Sequence, residues 1–154
     1  MAEAMETPLS RLELIYGSEK VASLAEKRVA VFGAGGVGGY IIEALARSGI
    51  GAIDIIDNDK VALSNLNRQI IAVRDTIGMM KTEAAKNRVM SIAPGCMVTG
   101  IPKFYAPDNA EEFDLSVYDY VADAIDFVPG KISLAVRCQQ LGVPIISAMG
   151  AGNK

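Results

Sequence analysis

The sequence predicts an α/β fold in which a mainly parallel sheet carries helices on both faces. Short apolar runs alternate along the chain with stretches of helical periodicity, which is the order that parallel sheets produce. The first apolar run also leads directly into a loop with five glycines in seven residues, 33–39, and a helical stretch follows it. A strand, a glycine turn and a helix in this order are typical of a doubly wound, Rossmann-like sheet.

The N-terminal elements follow from apolar spacing and from residues that start or stop helices. A helix is predicted at Glu19–Glu26, with Ser18 as its cap. The strand Arg28–Phe32 comes next, and the helix after the glycine loop runs to about Ser48, where Gly49 ends it. The core-facing side chains expected on these two helices are Val21, Leu24 and Ala25 in the first, and Val37, Ile41, Ala44 and Leu45 in the second.

The rest of the chain alternates in the same way. An apolar strand at Ala52–Ile56 ends at Asp57, and a helix at Met79–Ile92 stops at Pro94, which cannot continue it. The remaining elements, in chain order, are a strand at Met97–Ile101, a helix near Asp108–Asp114, a strand at Tyr118–Ala122, a helix at Gly130–Leu141 and a strand at Pro144–Ser147. The last helix is expected to face the core with Ile132, Ala135, Val136 and Gln139.

Composition excludes several function classes. The chain has 154 residues and a formal charge of -3, which is not the electrostatic footprint of a nucleic-acid-binding domain. It contains no histidine, and Cys96 and Cys138 stand far apart, so neither a zinc cluster nor a Cys-His nucleophile can form from these residues. Both cysteines are expected to be reduced, buried thiols. No apolar run approaches the roughly 20 residues of a membrane span, and the expected location is the cytoplasm.

The glycine loop predicts a bound nucleotide. Gly33, Gly35 and Gly38 match the pattern G-x-G-x-x-G after a strand and before a helix. Only glycine lets a backbone turn this sharply and lie this close to a phosphate. Asp57 lies at about the spacing at which such folds place an acid on the ribose hydroxyls. The pattern is shared by nicotinamide, flavin and S-adenosylmethionine enzymes, so it does not identify the nucleotide.

Residues 28–154 are therefore expected to form a nucleotide-binding domain, preceded by an N-terminal arm and helix at residues 1–27. The sequence stops directly after an apolar strand, inside a small-residue loop that starts at Gly150. A sheet that ended there would expose an unpaired edge. We expect the domain to be incomplete at this end, as the N-terminal portion of a longer one.

Polar side chains beyond the second and fourth strands favour a triphosphate. Asn65, Arg68, Gln69 and Lys81 follow the second strand, and cations in that place suit a ligand with more charge than backbone N–H groups can neutralise. Asp126, after the fourth strand, could hold Mg²⁺ over the same phosphates, and Asp123 competes with it for this role. Because the carboxyl ends of parallel strands share one edge, Asp57, Asp59 and Asp126 are expected to converge.

These motifs together resemble the adenylation domain of the superfamily that contains ubiquitin-activating enzymes, ThiF and MoeB. The resemblance covers nearly the whole chain and rests on GAGGVGG at 33–39, Asp57 with Asp59, NLNRQ at 65–69, Lys81, and DAID at 123–126. Within the superfamily, the stretches SRLELIYGSEKV, EALARSGIGAIDIID and VRDTIGMMKTEAAKNRVMSIAPG are most similar to tRNA threonylcarbamoyladenosine dehydratases. The sequence departs from the family's usual pattern at Gly39, where serine is common, and also at Phe127 and Pro8.

The resemblance implies the following roles. Room for the adenosine and phosphates would come from Gly33, Gly35, Gly36 and Gly38, and Asp57 would hold the ribose hydroxyls. The triphosphate would be lined by Asp59, Asn65, Arg68 and Lys81. Asp126 would lie near the metal and the α-phosphate, and Arg11 matches the arginine that dimers of this family send into the partner's site. The implied catalytic residues are Arg68, Lys81, Asp126 and Arg11.

The resemblance further implies an ATP- and Mg²⁺-dependent enzyme that adenylates a carboxylate, forms a homodimer and has no membrane partner. The substrate would be the threonylcarbamoyl group of a modified tRNA adenosine, which then cyclises with loss of water, or the C-terminal glycine of a ubiquitin-like sulfur carrier. This stretch alone is expected to be inactive. Two other classes stay open: an NAD-dependent oxidoreductase, and a nucleotide-binding module without catalysis.

Overall fold

A five-stranded, wholly parallel sheet organises the chain, in a computed structural model that describes residues 6–150. The strands are β1 (Arg28–Phe32), β2 (Ala52–Ile56), β3 (Met97–Ile101), β4 (Tyr120–Asp123) and β5 (Ile145–Ser147). Their spatial order is β3-β2-β1-β4-β5, so the chain runs outward from β1 to one edge and then returns to build the other side. The predicted α/β, doubly wound fold is confirmed.

The described residues form five α-helices: α1 (Ser10–Tyr16), α2 (Ser18–Leu24), α3 (Gly38–Arg47), α4 (Lys81–Ile92) and α5 (Val128–Leu141). The last three pack against the sheet, and α1 packs on α2. Helix α1 was not predicted, and Ser18 is the first residue of α2 rather than its cap. Gly17, with a φ of 82°, forms the turn between these two helices. The helix expected near Asp108–Asp114 consists instead of two short 3₁₀ turns, Pro107–Glu112 and Leu115–Val117.

Strand β4 starts two residues later than predicted, because the residues before it are held by side-chain bonds. The Tyr118 hydroxyl donates to Asp54 Oδ2 (2.8 Å), and Asp119 Oδ2 accepts from the main-chain nitrogen of Arg28 (2.8 Å). Ladder pairing with β1 therefore begins only at Tyr120, opposite Val29. The strand also extends to Asp123, one residue beyond the predicted end.

Two apolar cores lie on the two faces of the sheet, and they correct three predicted helix faces. In α2, Val21 is buried but Ala25 is exposed. In α3, Ile42 and Ala46 are buried, whereas the predicted core residues Val37 and Ala44 are exposed. Val37 precedes the first helical residue, Gly38, so the glycine loop and not apolar spacing sets the phase of this helix.

Helix α5 is rotated from its predicted orientation. Leu134 and Cys138 are buried, and Ile132 and Val136, expected in the core, are 60% and 46% exposed. Lys131 lies on the same buried face as Leu134 and Cys138, where its ammonium group pairs with Asp123 at the end of β4. The fold thus brings the carboxyl ends of all five strands, and the loops after them, to one edge of the sheet. No helix in residues 6–150 is long and apolar enough to cross a membrane.

Candidate functional site

A cleft of about 1070 Å³ opens at the carboxyl edge of the sheet. Its walls come from the loops that follow each of the five strands. All of the predicted site residues line it except Gly38 and Arg11; those present are Gly33, Gly35, Gly36, Asp57, Asp59, Asn65, Arg68, Lys81 and Asp126. The sequence prediction that these side chains converge at one edge is therefore met by the fold.

Two glycines of the loop are required by the protein's own packing. Gly33 has a φ of 91°, and a Cβ built on it would lie 2.6 Å from the carbonyl oxygen of Ala124. A Cβ on Gly38 would lie 1.7 Å from the carbonyl oxygen of Gly33. Gly38 therefore lets α3 pack against the end of β1, which explains why it does not line the cleft.

The other two predicted glycines face open space. A Cβ on Gly35 would meet nothing nearer than Gln69 Nε2 at 3.9 Å, and one on Gly36 nothing nearer than Arg68 Cγ at 3.7 Å. Both residues have φ angles that other amino acids adopt. The fold would therefore accept a larger residue at both positions, and the room that they leave belongs to the cleft.

Asp57 is held in place by main-chain donors. Its Oδ2 accepts from the nitrogen of Ala34, inside the glycine loop, at 2.7 Å, and its Oδ1 accepts from the nitrogen of Asp59 at 2.8 Å. Each oxygen keeps a second lone pair for another donor. The end of β2 thus presents a fixed carboxylate beside the glycine loop, an arrangement suited to paired hydroxyl groups.

Lys81 enters the cleft from the first residue of α4. Its side chain is 8% exposed, and Nζ donates to Asp59 Oδ2 at 2.8 Å. The main chain reinforces the contact, because the nitrogen of Lys81 donates to the carbonyl oxygen of Asp59 at 2.9 Å. An ammonium group needs three acceptors, and Asp59 supplies one of them, so Lys81 can also bind an anion in the cleft.

Arg68 is exposed on the cleft wall. It donates from Nη1 to the carbonyl oxygen of Ser64 and to Asn67 Oδ1, both at 3.0 Å. It has no carboxylate partner in the part of the chain that the structure describes. Asn65 shapes this wall, since its buried side chain accepts from the nitrogen of Ala62 at 2.9 Å and starts the turn that carries Arg68.

Gln69 belongs to the motif NLNRQ and was named among the polar side chains that favour a triphosphate, but the sequence assigned it no role in the site. Its side chain is 6% exposed, lines the cleft, and its Oε1 has no hydrogen-bond partner in the described residues. A buried amide oxygen without a donor is costly unless a ligand supplies one. Burial and this missing partner identify Gln69, and neither can be read from the sequence.

The two acidic candidates for metal binding occupy different environments. Asp126 is exposed in the cleft, where a Cβ on Gly150 would lie 3.4 Å from its Oδ1. Asp123 is fully buried, does not line the cleft, and pairs with Lys131 at 2.9 Å. Metal binding at Asp126 stays a prediction, but Asp123 has no access to a ligand.

Aromatic side chains form another part of the cleft that was not predicted. Phe104 follows β3, Phe127 follows the DAID turn, and their ring centroids lie 5.4 Å apart. Both rings line the cleft, as does Lys103. The site therefore has a cationic wall around Arg68 and Lys81, and an aromatic wall around Phe104.

Neither cysteine is placed to act as a nucleophile. Cys96 and Cys138 are buried and unpaired in disulfides, as predicted. Burial raises the pKa of both thiols, which keeps them protonated and unreactive.

Arg11 lies exposed on α1 and does not line the cleft of its own chain, so its role in a partner's site stays a prediction.

Comparison with known proteins agrees with this geometry. The tRNA threonylcarbamoyladenosine dehydratases of Escherichia coli K12 and Bacillus subtilis 168 are 42% and 43% identical to the chain, over 91% and 94% of its length. The chain spans 52% and 57% of those two relatives, about half of each.

A solved structure also matches. The crystal structure of the E. coli dehydratase TcdA in complex with ATP has a TM-score of 0.91 and 41% identity, over 96% of this chain and 60% of that one. The pattern of the ThiF family matches residues 9–154, which include every predicted site residue. The chain belongs to the ThiF family.

Proposed function

We propose that this protein is an ATP-dependent adenylating enzyme that activates a substrate carboxylate. The observation that carries the proposal is Arg68, a cation on the cleft wall with no carboxylate partner among residues 6–150. Lys81 lines the same cleft, and Gly35 and Gly36 leave it room for a ligand. A polyphosphate matches this combination of cations and open backbone.

The proposed reaction needs charge neutralisation more than it needs a protein nucleophile. The substrate carboxylate forms a bond to the α-phosphorus, the bond from that phosphorus to the bridging oxygen breaks, and pyrophosphate leaves with the electron pair. Because two anions must approach each other, alignment and positive charge supply most of the acceleration. The guanidinium of Arg68 suits phosphate oxygens as a planar fork, and Lys81 acts as a point charge.

The proposed carboxylate is that of a threonylcarbamoyl group on a tRNA adenosine, as the names of the relatives suggest. After adenylation, a nitrogen of the same substrate attacks the activated carbonyl carbon, loses its proton and displaces AMP. The ring closes with a net loss of water, whose oxygen leaves in AMP. A cleft of about 1070 Å³ supports a second substrate beside ATP, since small-molecule sites usually span roughly 300–1,000 Å³.

We propose Mg²⁺ as the accompanying metal, with Asp126 as the side chain that would hold it. Mg²⁺ usually takes one or two protein carboxylates together with phosphate oxygens. That preference fits this cleft, since the described residues contain no group of three metal-binding side chains. When bound, the ion neutralises phosphate charge.

The proposal includes a homodimer in which Arg11 of one copy reaches the cleft of the other. Helix α1 supports this because it exposes apolar side chains next to Arg11: Leu14 is 81% exposed and Ile15 is 73% exposed. Neighbouring exposed apolar side chains of this size are typical of contact surfaces. An enzyme that modifies tRNA would work in the cytoplasm.

The test is the formation of AMP by the whole protein with ATP and Mg²⁺, measured by chromatography. Three reactions are compared, with tRNA that carries threonylcarbamoyladenosine, with tRNA that lacks it, and with a ubiquitin-like sulfur carrier ending in glycine. We expect AMP only with the modified tRNA. AMP only with the carrier would agree with the proposed adenylation but contradict tRNA as the substrate. No AMP in any reaction would contradict the proposed function.

A further inference from the structure

Lys131 in α5 is a buried lysine outside the cleft. Its side chain is 9% exposed, and it does not line the cleft. Nζ has three oxygen partners: it donates to the carbonyl oxygens of Ile125 at 3.1 Å and Ala148 at 2.8 Å, and it forms an ion pair with Asp123 Oδ2 at 2.9 Å. Two hydrogen bonds and one ion pair occupy the three N–H positions of an ammonium group. The lysine is therefore fully satisfied by the protein and is not free to bind a ligand.

The acceptors of Lys131 belong to two different loops of the cleft. Ile125 follows β4 and Ala148 follows β5, and both residues line the cleft. A single ammonium group on α5 thus joins the backbones of two neighbouring strand ends. The sheet ladder does not make this connection, because the paired residues of β4 and β5 end at Asp123 and Ser147.

Asp123, the ion-pair partner of Lys131, also contacts both loops. Its Oδ1 accepts from the nitrogen of Ile125 at 3.0 Å, and its Oδ2 accepts from the Ser147 hydroxyl and forms an ion pair with Lys131. Its carbonyl oxygen accepts from the nitrogen of Ala148 at 2.8 Å.

The loop after β4 carries Asp126, whose side chain has no hydrogen bond in the described part of the chain. Its position therefore depends on the backbone that carries it. The same loop also touches the glycine loop, since the carbonyl oxygen of Ala124 lies 2.6 Å from where a Cβ of Gly33 would be. A shift of this loop would move Asp126 and press on the glycine turn together.

We propose that Lys131 is a positioning residue, which clamps the loops after β4 and β5 so that Asp126 faces the nucleotide. The proposal rests on the proposed function, because it assigns Asp126 to the reacting phosphates. A role in stability alone would not explain a lysine, since apolar pairs replace buried ion pairs without loss of stability in many proteins. An apolar side chain, however, has no donors for the carbonyl oxygens of Ile125 and Ala148.

The experiment compares Lys131→Met with Lys131→Arg in the whole protein. For Lys131→Met we expect faster hydrogen exchange at the amides of Ile125 and Ala148, measured by mass spectrometry of the apo protein. We expect kcat for AMP formation to fall about 100-fold, the size of effect that a misplacement of about 1 Å produces. The KM for ATP should change much less, because Lys131 contacts no ligand, and Lys131→Arg should recover part of kcat.

A charge-matched variant covers the case in which Lys131→Met leaves Asp123 unpaired and unfolds the protein. Asp123→Asn with Lys131→Met removes both charges and keeps an acceptor for the nitrogen of Ile125. We expect this variant to fold, with fast exchange in both loops and low kcat. Wild-type exchange and wild-type kcat, measured well below its unfolding temperature, would overturn the proposal. The exchange readout needs no turnover, so a failure of the proposed function is seen separately, as absence of AMP from the wild type.

Discussion

The sheet carries charged side chains near both ends of its strands, here called the amino edge and the carboxyl edge. The two groups of charged side chains differ in how many protein partners they have. Toward the amino ends of the strands, Asp54 in the middle of β2 accepts through Oδ2 from Arg28 Nη2 and from the Tyr118 hydroxyl, both at 2.8 Å. Asp119 accepts from Lys27 Nζ at 3.1 Å and from the nitrogen of Arg28 at 2.8 Å. Burial and the Asp54 carboxylate raise the pKa of Tyr118, which keeps it protonated as a donor.

At the carboxyl edge, several polar groups are left without a protein partner. Within residues 6–150, Arg68 has no carboxylate, the Asp126 side chain has no hydrogen bond, and Gln69 Oε1 is buried without a donor. The amino edge leaves one such buried atom, Arg28 Nε. Charged groups near the amino ends of the strands are therefore paired within the fold, whereas the carboxyl edge also carries Arg68 and Asp126, which lack such partners within residues 6–150.

The largest expected effect comes from removing cations of the carboxyl edge. Arg68→Ala and Lys81→Met should each lower the rate of AMP formation by about 100-fold or more, the size found when one preorganised donor to a transition state is lost. The matched control at the amino edge is Lys27→Ala, which breaks an exposed pair with Asp119 and should leave the rate unchanged. If both cleft variants formed AMP at the wild-type rate, the cations of the carboxyl edge would matter no more for catalysis than Lys27, and our comparison of the two edges would be wrong.

Two aspartates on β2 and directly after it test the same comparison by binding and stability. Asp57→Asn should weaken ATP binding about tenfold, which corresponds to about 1.4 kcal/mol, with little change in unfolding. Asp54→Asn should lower the free energy of unfolding by about 1–3 kcal/mol, because its partners lose a charged acceptor, and should leave ATP binding intact. Calorimetric titration measures the ATP affinity of both variants, and urea unfolding measures their free energy of unfolding. The reverse pattern would be incompatible with our assignment of the two edges.

Two glycines of the loop, Gly33 and Gly36, test which parts of the carboxyl edge serve the stability of the fold and which serve ATP binding. Gly33→Ala should destabilise the protein by at least about 1–2 kcal/mol, because its φ of 91° is unfavourable for alanine. Gly36→Ala should leave the unfolding temperature unchanged and weaken ATP binding several-fold, because its Cβ would enter open cleft. Equal ATP binding by Gly36→Ala and the wild type would show that the ligand does not approach this part of the loop.

The smallest expected effect lies in the helix layer, away from both edges. Glu43 in α3 accepts from Arg88 in α4 through both carboxylate oxygens at 2.8 Å, and the hydrogen bonds from Arg88 lower its pKa. A lowered carboxyl pKa stabilises the fold above the ordinary value of 4.5, and that stability is lost as the pH falls through the lowered pKa.

Glu43→Gln should therefore lower the free energy of unfolding at pH 7 by about 1 kcal/mol, a shift of about 2–4 °C in Tm for a chain of this size. The difference from the wild type should shrink below pH 4.5. Thermal unfolding at several pH values measures it, and a difference that grows toward acid would have the wrong sign. ATP binding should not change.

The fold was predictable where local sequence determines structure. The bounds of β1, β2 and β3 match the predictions. For β1 and β2 the reason is that short apolar runs are buried in the interior of the sheet, whereas β3 is a partly exposed edge strand. Apolar spacing alone did not predict the phases of α3 and α5, because backbone and polar contacts also contribute to them: Gly38 packs on Gly33, and Lys131 pairs with Asp123.

The site was predictable where motif spacing and the common end of parallel strands determine which residues meet. Motif spacing and family resemblance placed Asp57, Arg68 and Lys81 at one edge, since parallel strands end together. Phe104 and Lys131 were not predicted, because their contacts with Phe127 and Asp123 become visible only in three dimensions. Gln69 was named without a role, because its burial and its unpaired Oε1 cannot be read from the sequence. Asp123 and Asp126 lie three positions apart in one motif, and only burial distinguishes the structural carboxylate from the exposed one.

The measurement that tests the central claim most directly is calorimetric titration of the protein with ATP and Mg²⁺ and, separately, with NAD. If the groups left unpaired at the carboxyl edge are reserved for a triphosphate, ATP binds tightly to the wild type and at least tenfold more weakly to Arg68→Ala, a difference of about 1.4 kcal/mol, while NAD binds weakly to both. Tighter binding of NAD than of ATP, or equal ATP binding by Arg68→Ala and the wild type, would contradict the account.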